Sequence, residues 1–569
     1  MFMGVAGCAS IYWPSLIALE GQLSQPHCCG SGVTCRPDQV KMTKRVAIIG
    51  AGASGITCIK CCLDEDLEPV CFERSNDIGG LWNFQENVTD GKASIYKSLI
   101  INTSKELMCY SDFPIPEDYP NYMHNSRIME YFHLYVKHFN LMKYIQFKTN
   151  VCSITKRADF SSTGQWDVVT QNGEGNSESA IFDAVLIATG HHANPHYPLD
   201  SFLGIEKFKG QYLHSKEYKG PLPFEGKRVV VIGIGNSGGD LAVEISRHAK
   251  QVFLSTRSGA WVVHRVADRG LPGDIWFNSR INTYIPLFFA TWFVERAMSH
   301  RFDHENYGLQ PSHRMFSQHP TVNDDLPNRI ISGAILVKTN VKQFTETAAI
   351  FEDGTVEDID VVVFATGYTF SYPFLDESVV KVNKNHVSLH KYVFPLQLEQ
   401  PTLAIIGLIQ PLGAIMPISE LQARWATRVF RGLVKLPSVS TMMAEIMEKK
   451  EKMAKRYVSS QRHTIQVDYV PYMDELAEQI GVKPNLKQLL LSDPQLAFQV
   501  LFGPCSPYQF RLTGPGKWPK ARQTILTQWE RIIKPTKTRV LTKKRQESMS
   551  ILLKFMALLV VLGAVYLFL

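Results

Sequence analysis

Several things are missing from this chain of 569 residues, and each absence removes a class of function. It has no zinc-finger spacing of cysteine and histidine and no basic–aromatic array, so no nucleic-acid partner is expected. Its 11 cysteines form no secreted-domain pattern. Four of them (Cys8, Cys28, Cys29, Cys35) precede Met42, and three crowd one short segment (Cys58, Cys61, Cys62). Free thiols in a reducing compartment are therefore expected. The nearly apolar stretch from Tyr284 to Val294 is far shorter than the roughly 20 residues that a bilayer-spanning helix needs. It can only pack in a core, wall a substrate tunnel or lie on a membrane surface. Net charge is modest: the value is +7, and much of the excess sits in Lys534, Lys537, Arg539, Lys543, Lys544 and Arg545, as expected for a membrane-flanking cluster.

What remains is an ordinary globular composition, 45% hydrophobic and 20% charged, in a chain too long for one core. Residues 1–41 carry few charges and no clear period, and read as a disordered extension ahead of Met42. The last residues are different again. Phe555 to Leu569 is free of charge, and from Ile551 onward a helix would reach about 28 Å, close to a bilayer core. With basic residues just upstream, 551–569 reads as a C-terminal tail anchor, its bulk facing the cytoplasm.

Between these ends one plan occurs twice. Lys44 to Gly50 has the uninterrupted apolar character of a buried parallel strand, Gly50 to Gly55 forms a glycine-rich turn, and a helix is predicted from Ile56 to Asp64. Glu68 to Glu73 is the following strand. Lys227 to Gly233, the turn Gly233 to Gly238, a helix from Asp240 to His248 and a strand from Gln251 to Thr256 repeat the arrangement. Two such units imply an α/β fold with two Rossmann-like dinucleotide-binding domains. The expected layout is 42–194 with 371–535 for the first domain and 195–370 for the second. A helical insertion at about 260–340 belongs to the second domain. Met442 to Gln479 reads mostly as charged helix.

Glycines at such a turn let backbone N–H groups approach a pyrophosphate at a helix N-terminus. The two turns differ in the charge carried by the next strand. Glu73 ends the strand after the first; its carboxylate can accept both ribose hydroxyls and repels a 2′-phosphate, which suits FAD or NAD and not NADP; with NADPH at the second turn, FAD is expected at the first. The second strand ends Ser255-Thr256-Arg257, and a hydroxyl beside a cation suits the 2′-phosphate of NADPH. Two further strands end in Ala-Thr-Gly turns, at Gly190 and Gly367, where the chain can pass close to a cofactor or cross between domains.

Phe208, Gly210, His214 and Tyr218 stand at the spacing FxGxxxHxxxY, just ahead of the second glycine turn. Together with the stretches Asp77 to Trp82, Asn102 to Glu106, Phe364 to Tyr368 and Phe502 to Tyr508, this resembles the flavin-containing monooxygenase family over about 42–569. Asn323 to Ile330 and Glu346 to Gly354 look most like its vertebrate form-five branch. The resemblance implies FAD and NADPH as cofactors and O2 as co-substrate. A flavin C4a-hydroperoxide would oxygenate nitrogen or sulfur nucleophiles, or ketones by Baeyer–Villiger insertion, with NADPH oxidase activity on uncoupling. It assigns to FAD Gly50, Gly52, Ala53, Ser54, Gly55, Glu73, Leu81, Trp82, Asn102, Thr103, Thr366 and Gly367. To NADP it assigns Ser94, Ile95, Gly233, Gly235, Asn236, Ser237, Gly238, Thr256 and Arg257. Asn102 is the expected catalytic residue, and no metal or protein nucleophile is called for, since the oxygen chemistry belongs to the flavin. The implied setting is the endoplasmic-reticulum (microsomal) membrane, with lipophilic small molecules and membrane lipid as partners and self-association left open. One departure is Ser258, where many relatives carry a second arginine. A rival reading takes Cys58-x-x-Cys61 as a redox dithiol, but it lies under the expected pyrophosphate rather than beside the flavin ring.

Overall fold

The computed structural model describes residues 43–458 and 464–539; the expected extension 1–41 and anchor 551–569 lie outside them. Two parallel sheets of five strands each organise the chain. In the first, the order is 403–405, 184–187, 45–49, 68–72, 145–146. In the second it is 335–338, 251–255, 228–232, 361–364, 211–214. The strand that feeds each glycine turn, Arg45–Ile49 or Arg228–Ile232, is central, and four of its five residues are buried. That burial on both faces is why these segments read as continuous apolar runs. Along the second central strand, Val229 and Val231 enter one core cluster while Val230 and Ile232 enter another on the opposite face. Each sheet has an antiparallel three-stranded companion, 149–156 with 166–172 and 177–182, and 341–344 with 348–351 and 356–358.

The fold is thus the mixed α/β arrangement with Rossmann-like sheets that the repeated motif predicts. The glycine helices begin earlier than the sequence pattern suggests, at Ala53 and Asn236, so the last glycine of each turn sits inside the first helical turn. The predicted charged helix at 442–479 is two helices, Val439–Arg456 and Tyr469–Gln479; between them Gln466–Val467 pairs with Gln410–Pro411. The insertion contains the helix Leu287–Arg301 and shorter turns. Among the described residues no helix is long and apolar enough to cross a membrane.

The segment that runs on from Asn102 is fixed by buried ions. The Arg511 guanidinium donates to Glu420 at 2.7 Å and to the Ser111 hydroxyl at 2.6 Å, and lies 2.9 Å from Asp112. Asp112 also meets Lys60 at 2.6 Å. Glu106, fully buried, accepts from Tyr508 at 2.8 Å and from Arg531 at 3.0 Å. These ions come from 105–112, the glycine helix, the helix Met416–Phe430, the turn Pro507–Arg511 and the helix Ala521–Ile533, so they tie five parts of the chain together. Removing one partner leaves the rest charged in a dry interior. Arg511→Met is expected to cost about 3–5 kcal/mol of stability, and adding Glu420→Gln to recover part of that, because one stranded carboxylate is then gone. Denaturant midpoints of the single and double variants check this; an unchanged midpoint for Arg511→Met would refute it.

Candidate functional site

Both glycine turns sit at the carboxyl edge of their sheets, where a parallel fold leaves a crevice. In the first, Gly50 has φ +98, and a Cβ there would lie 2.9 Å from the Ala188 carbonyl oxygen. In the second, Gly233 has φ +104, and its Cβ would lie 2.6 Å from the Ala365 carbonyl oxygen. Each Ala-Thr-Gly turn therefore packs on one glycine loop, 188–190 on the first and 365–367 on the second. Gly52 and Gly235 stand at the N-caps of the helices that follow, with no side-chain cap on either. Their first N–H groups carry the positive end of the helix dipole and have no intrahelical acceptor. A Cβ on Gly235 would meet no protein atom within 4 Å, and its φ of −66 and ψ of 179 suit any residue. Nothing among the described residues requires glycine there, whereas a pyrophosphate lying against the turn would.

Beside this turn is a cavity of about 430 Å3, lined by Gly233, Gly235, Thr256, Arg257, Ser258 and Thr366 among others. Arg257 is exposed and has no hydrogen-bond or ion-pair partner among the described residues. Its guanidinium is free for an anion, with the Thr256 hydroxyl next to it in the chain. The residues present fit a dinucleotide bearing an extra phosphate. Asn236 turns its Oδ1 to the Val322 N–H at 2.8 Å. Ser237 and Gly238 complete the first helical turn, where a Cβ on Gly238 would fall 1.8 Å from the Gly233 oxygen.

At the first turn, Glu73 is buried and accepts from the Ala51 N–H at 2.8 Å and from the Ser75 N–H and hydroxyl at 2.8 and 2.7 Å. A carboxylate offers about four lone-pair positions, so serving both ribose hydroxyls requires the Ser75 hydroxyl to turn away. The turn Gly80–Trp82, with Leu81 and Trp82, lies across from the loop: a Cβ on Gly52 would be 3.6 Å from the Gly80 Cα. Gly55 lies within the first turn of the helix, and the Ala53 carbonyl accepts from Tyr110 at 2.7 Å. The Ser54 and Ser419 hydroxyls are 2.9 Å apart. Thr366 and Gly367, assigned to FAD from the sequence, are placed instead at the second loop. Thr366 lines its cavity and donates to the His196 carbonyl at 2.5 Å. The geometric counterparts at the first loop are Thr189 and Gly190.

Ser94 and Ile95 are gripped by Lys219, whose ammonium donates to the Ser94 hydroxyl at 2.6 Å and the Ile95 carbonyl at 3.3 Å. The neighbouring Tyr96 hydroxyl donates to Asp240 on the second glycine helix at 2.5 Å. This segment thus adjoins the second loop. Asn102 is half-buried, and its Oδ1 accepts from Arg265 at 2.6 Å; Thr103, next to it, is buried.

The fingerprint is the edge strand of the second sheet, with His214 in register with Phe364. Phe208 and Tyr218 fill cores on opposite faces of that sheet, and Gly210 lets the Asp360 carbonyl approach to 2.5 Å of where a Cβ would be. His214 Nδ1 accepts from the Lys216 N–H at 3.1 Å, so Nε2 carries the proton and donates to the Gly367 carbonyl at 3.0 Å. Lys216 in turn donates to the Ala193 carbonyl at 3.0 Å. The fingerprint therefore clamps both crossovers between the sheets, which also pair directly as 194–195 with 368–369. Burial lowers the His214 pKa to about 4, so the ring is neutral and structural. The Cys58 and Cys61 thiols are buried on the first glycine helix. Burial pushes the Cys58 thiol up and the Cys61 thiol up to about 12, which removes the thiolate that dithiol chemistry needs.

Arg265, Asp324 and the loop 321–326 were not recognised from sequence as parts of the site; the stretch beginning at Asn323 stood out only as a branch marker.

A family model described as flavin-binding monooxygenase-like matches residues 43–569. The chain is 64% identical over 529 residues to flavin-containing monooxygenase 5 of Rattus norvegicus, covering 92% of this chain and 99% of that one. It is 62% identical over 512 residues to the Homo sapiens protein of the same name, covering 89% and 95%. It is 56% identical over 530 residues to dimethylaniline monooxygenase [N-oxide-forming] 2 of Cavia porcellus, covering 92% and 99%. Among solved structures, the S-allyl-L-cysteine S-oxygenase of Allium sativum aligns with a TM-score of 0.60 at 23% identity, covering 85% of this chain and 98% of that one. Cyclohexanone monooxygenase in its open form aligns with a TM-score of 0.55 at 17% identity, covering 77% and 97%. At these identities the two structures attest the fold.

Two predictions arise from this geometry. Gly235→Ala should change stability by no more than about 0.5 kcal/mol yet weaken NADP+ binding about tenfold or more by filling the approach to the turn, whereas Gly238→Ala should fail to fold. Isothermal titration and thermal unfolding of the two variants decide it; tight NADP+ binding by Gly235→Ala would contradict the reading. The second concerns acid. The folded pKa of His214 is about 4, against roughly 6.5 when unfolded. Unfolding therefore takes up a proton in that window, and stability is lost as pH falls from about 6.5 towards 4. His264 and His304, also lowered to about 4 by burial, act in the same sense. His214→Gln should flatten the slope by about one proton, measured as unfolding free energy against pH; an unaltered slope would show that His214 is not the neutral, buried group described.

Proposed function

The chain belongs to the flavin-binding monooxygenase-like family, and on that premise we propose an NADPH- and O2-dependent monooxygenase with unequal dinucleotide sites. The first would hold FAD and the second NADPH. The observation that carries the assignment is Arg257: exposed and without a partner among the described residues, it borders the cavity beside an uncapped glycine helix, while the acidic Glu73 holds the matching place at the other turn. FAD held at the first turn by the loop 50–55 and Glu73 would supply the redox chemistry, hydride acceptance and oxygen transfer.

The chain's own groups bind and orient. The uncapped helix N-termini at Gly52 and Gly235 receive the pyrophosphates. Arg257 and Thr256 recognise the 2′-phosphate. Asn102, with its Oδ1 committed to Arg265, would keep its Nδ2 as a donor for the bound flavin. His214 holds the crossovers without taking a proton. The substrates proposed are nitrogen and sulfur nucleophiles, or ketones by Baeyer–Villiger insertion. The N-oxide-forming relative at 56% identity supports the first class. Electrons that find no substrate would leave as hydrogen peroxide.

We also propose a membrane setting, at the endoplasmic reticulum, with the bulk facing the cytoplasm. The helix Leu287–Arg301 supports this: Phe288 is 65% exposed, Phe289 60% and Phe293 69%, a patch that water does not favour. The sequence of the tail, 551–569, would hold that patch against the lipid.

Arg257→Ala in the purified full chain should raise the KM for NADPH about 10- to 100-fold, the loss of charge-assisted contacts to one phosphate, and leave the KM for NADH within about twofold. Steady-state assays with both nucleotides and a thioether or a linear ketone measure it, alongside peroxide. A retained NADPH preference would overturn the assignment of the second site.

A further inference from the structure

Asn102 and the second glycine loop are held by different parts of the chain, yet one continuous set of bonds joins them. Arg265 donates from Nη2 to Asn102 Oδ1 at 2.6 Å. Arginine has only donors, so the amide must turn its oxygen to Arg265 and its Nδ2 the other way. Asp324 grips Arg265 twice, accepting from Nη1 at 3.0 Å and from the backbone N–H at 2.9 Å. The Arg265 carbonyl is in turn fixed by the Tyr122 hydroxyl at 2.9 Å and the Gly273 N–H at 2.7 Å. Asp324 belongs to a loop stitched onto the second glycine turn at three successive residues. The Thr321 hydroxyl donates to the Ile234 carbonyl, the Val322 N–H to Asn236 Oδ1 at 2.8 Å, and Asn323 Nδ2 to Asp240 Oδ1 at 2.7 Å.

We propose that Asp324 is a positioning residue: through Arg265 it fixes the orientation of the Asn102 amide and couples that orientation to the loop that binds NADP. Asp324 itself touches neither Asn102 nor, by its contacts here, the cavity. It acts by holding a guanidinium whose other amine faces Asn102. Without it, the guanidinium loses its grip and can swing away from Asn102, and the amide oxygen is then no longer held to one side. The proposal rests on the reading of Asn102 as the group beside the flavin.

The test uses the purified, flavin-loaded full chain and NADP+ as the probe. Asp324→Ala should leave flavin content and the NADP+ dissociation constant near those of the parent, because Arg257 and Gly235 are intact. The change that NADP+ causes in the flavin absorption band should shrink. The share of NADPH electrons released as hydrogen peroxide should rise about 3- to 10-fold, the range expected for a coupling residue outside both ligand contacts. Asp324→Glu should recover part of the band change. The double variant Asn102→Ala/Asp324→Ala should be no worse than Asn102→Ala, since both act through one amide. If Asp324→Ala folds poorly, Asp324→Asn, which keeps the shape and one acceptor, should move both readouts the same way by less. An unaltered band and peroxide share in the Asp324 variants, beside a clear effect of Asn102→Ala, would overturn the positioning role alone; effects that add in the double variant would do the same. If Asn102→Ala changes neither readout, the reading of Asn102 falls and the positioning role with it.

Discussion

The arrangement depends on a close approach at the carboxyl edge of each sheet. There the glycine turn, the following helix and the end of a third strand meet with no room for a side chain: a Cβ on Gly55 or Gly238 would lie 1.8 Å from the carbonyl oxygen of Gly50 or Gly233. The Ala-Thr-Gly turns press in from the other side. Because these atoms are in contact, the first N–H groups of each helix are left facing a crevice rather than a protein acceptor. Cofactor binding is thus a consequence of packing, and the same contact makes each crossover part of the site. His214 adds the complement, bonding across to Gly367 while Lys216 bonds to Ala193. The clamp holds because His214 stays neutral; a protonated ring could no longer accept from the Lys216 N–H.

Two such edges on identical plans would bind identical ligands, so the difference between them lies in the next strand. Glu73 is buried and already accepts from three donors of the chain, which fixes its carboxyl group at that turn. Arg257 has the opposite character. It is exposed, so remaining unpaired costs little in water, and its charge-assisted bonds are available to a phosphate that arrives. One site is set by an internal network and the other by an open charge, so a substitution at the first should disturb folding and one at the second mainly binding.

The local parts of this picture were legible in the sequence. Apolar runs gave the central strands, the glycine spacing gave the turns, and the charge at the end of the next strand distinguished them. The helix starts were misplaced by about one turn, because the third glycine reads as part of the loop although it is already helical. The placement of Thr366 was missed for a different reason. Two Ala-Thr-Gly turns look alike in sequence, and only the strand order, with 361–364 beside 228–232, assigns the second turn to the second loop. Arg265 was invisible, because its contact with Asn102 spans 163 positions and an arginine in an aromatic-rich stretch carries no motif.

The insertion connects the apolar surface to the Asn102 amide. The exposed apolar helix Leu287–Arg301 lies in the chain between Arg265 and Asp324 and ends at Phe302. That ring stacks on His304 at 4.3 Å and meets His264 edge-on at 6.0 Å, and His264 adjoins Arg265. His304 in turn accepts from the Val262 N–H at 3.0 Å and lies 4.8 Å from the Trp261 ring. The strands Val262–Val263 and Thr321–Val322 pair side by side, so the segment that carries Arg265 and the loop that carries Asp324 share one small ladder. An insertion whose outer face is an aromatic patch therefore has, as its inner face, the scaffold that orients Asn102. Loosening the apolar helix would consequently be felt at the Asn102 amide as well as in stability, because both depend on the same short ladder and the same stacked rings.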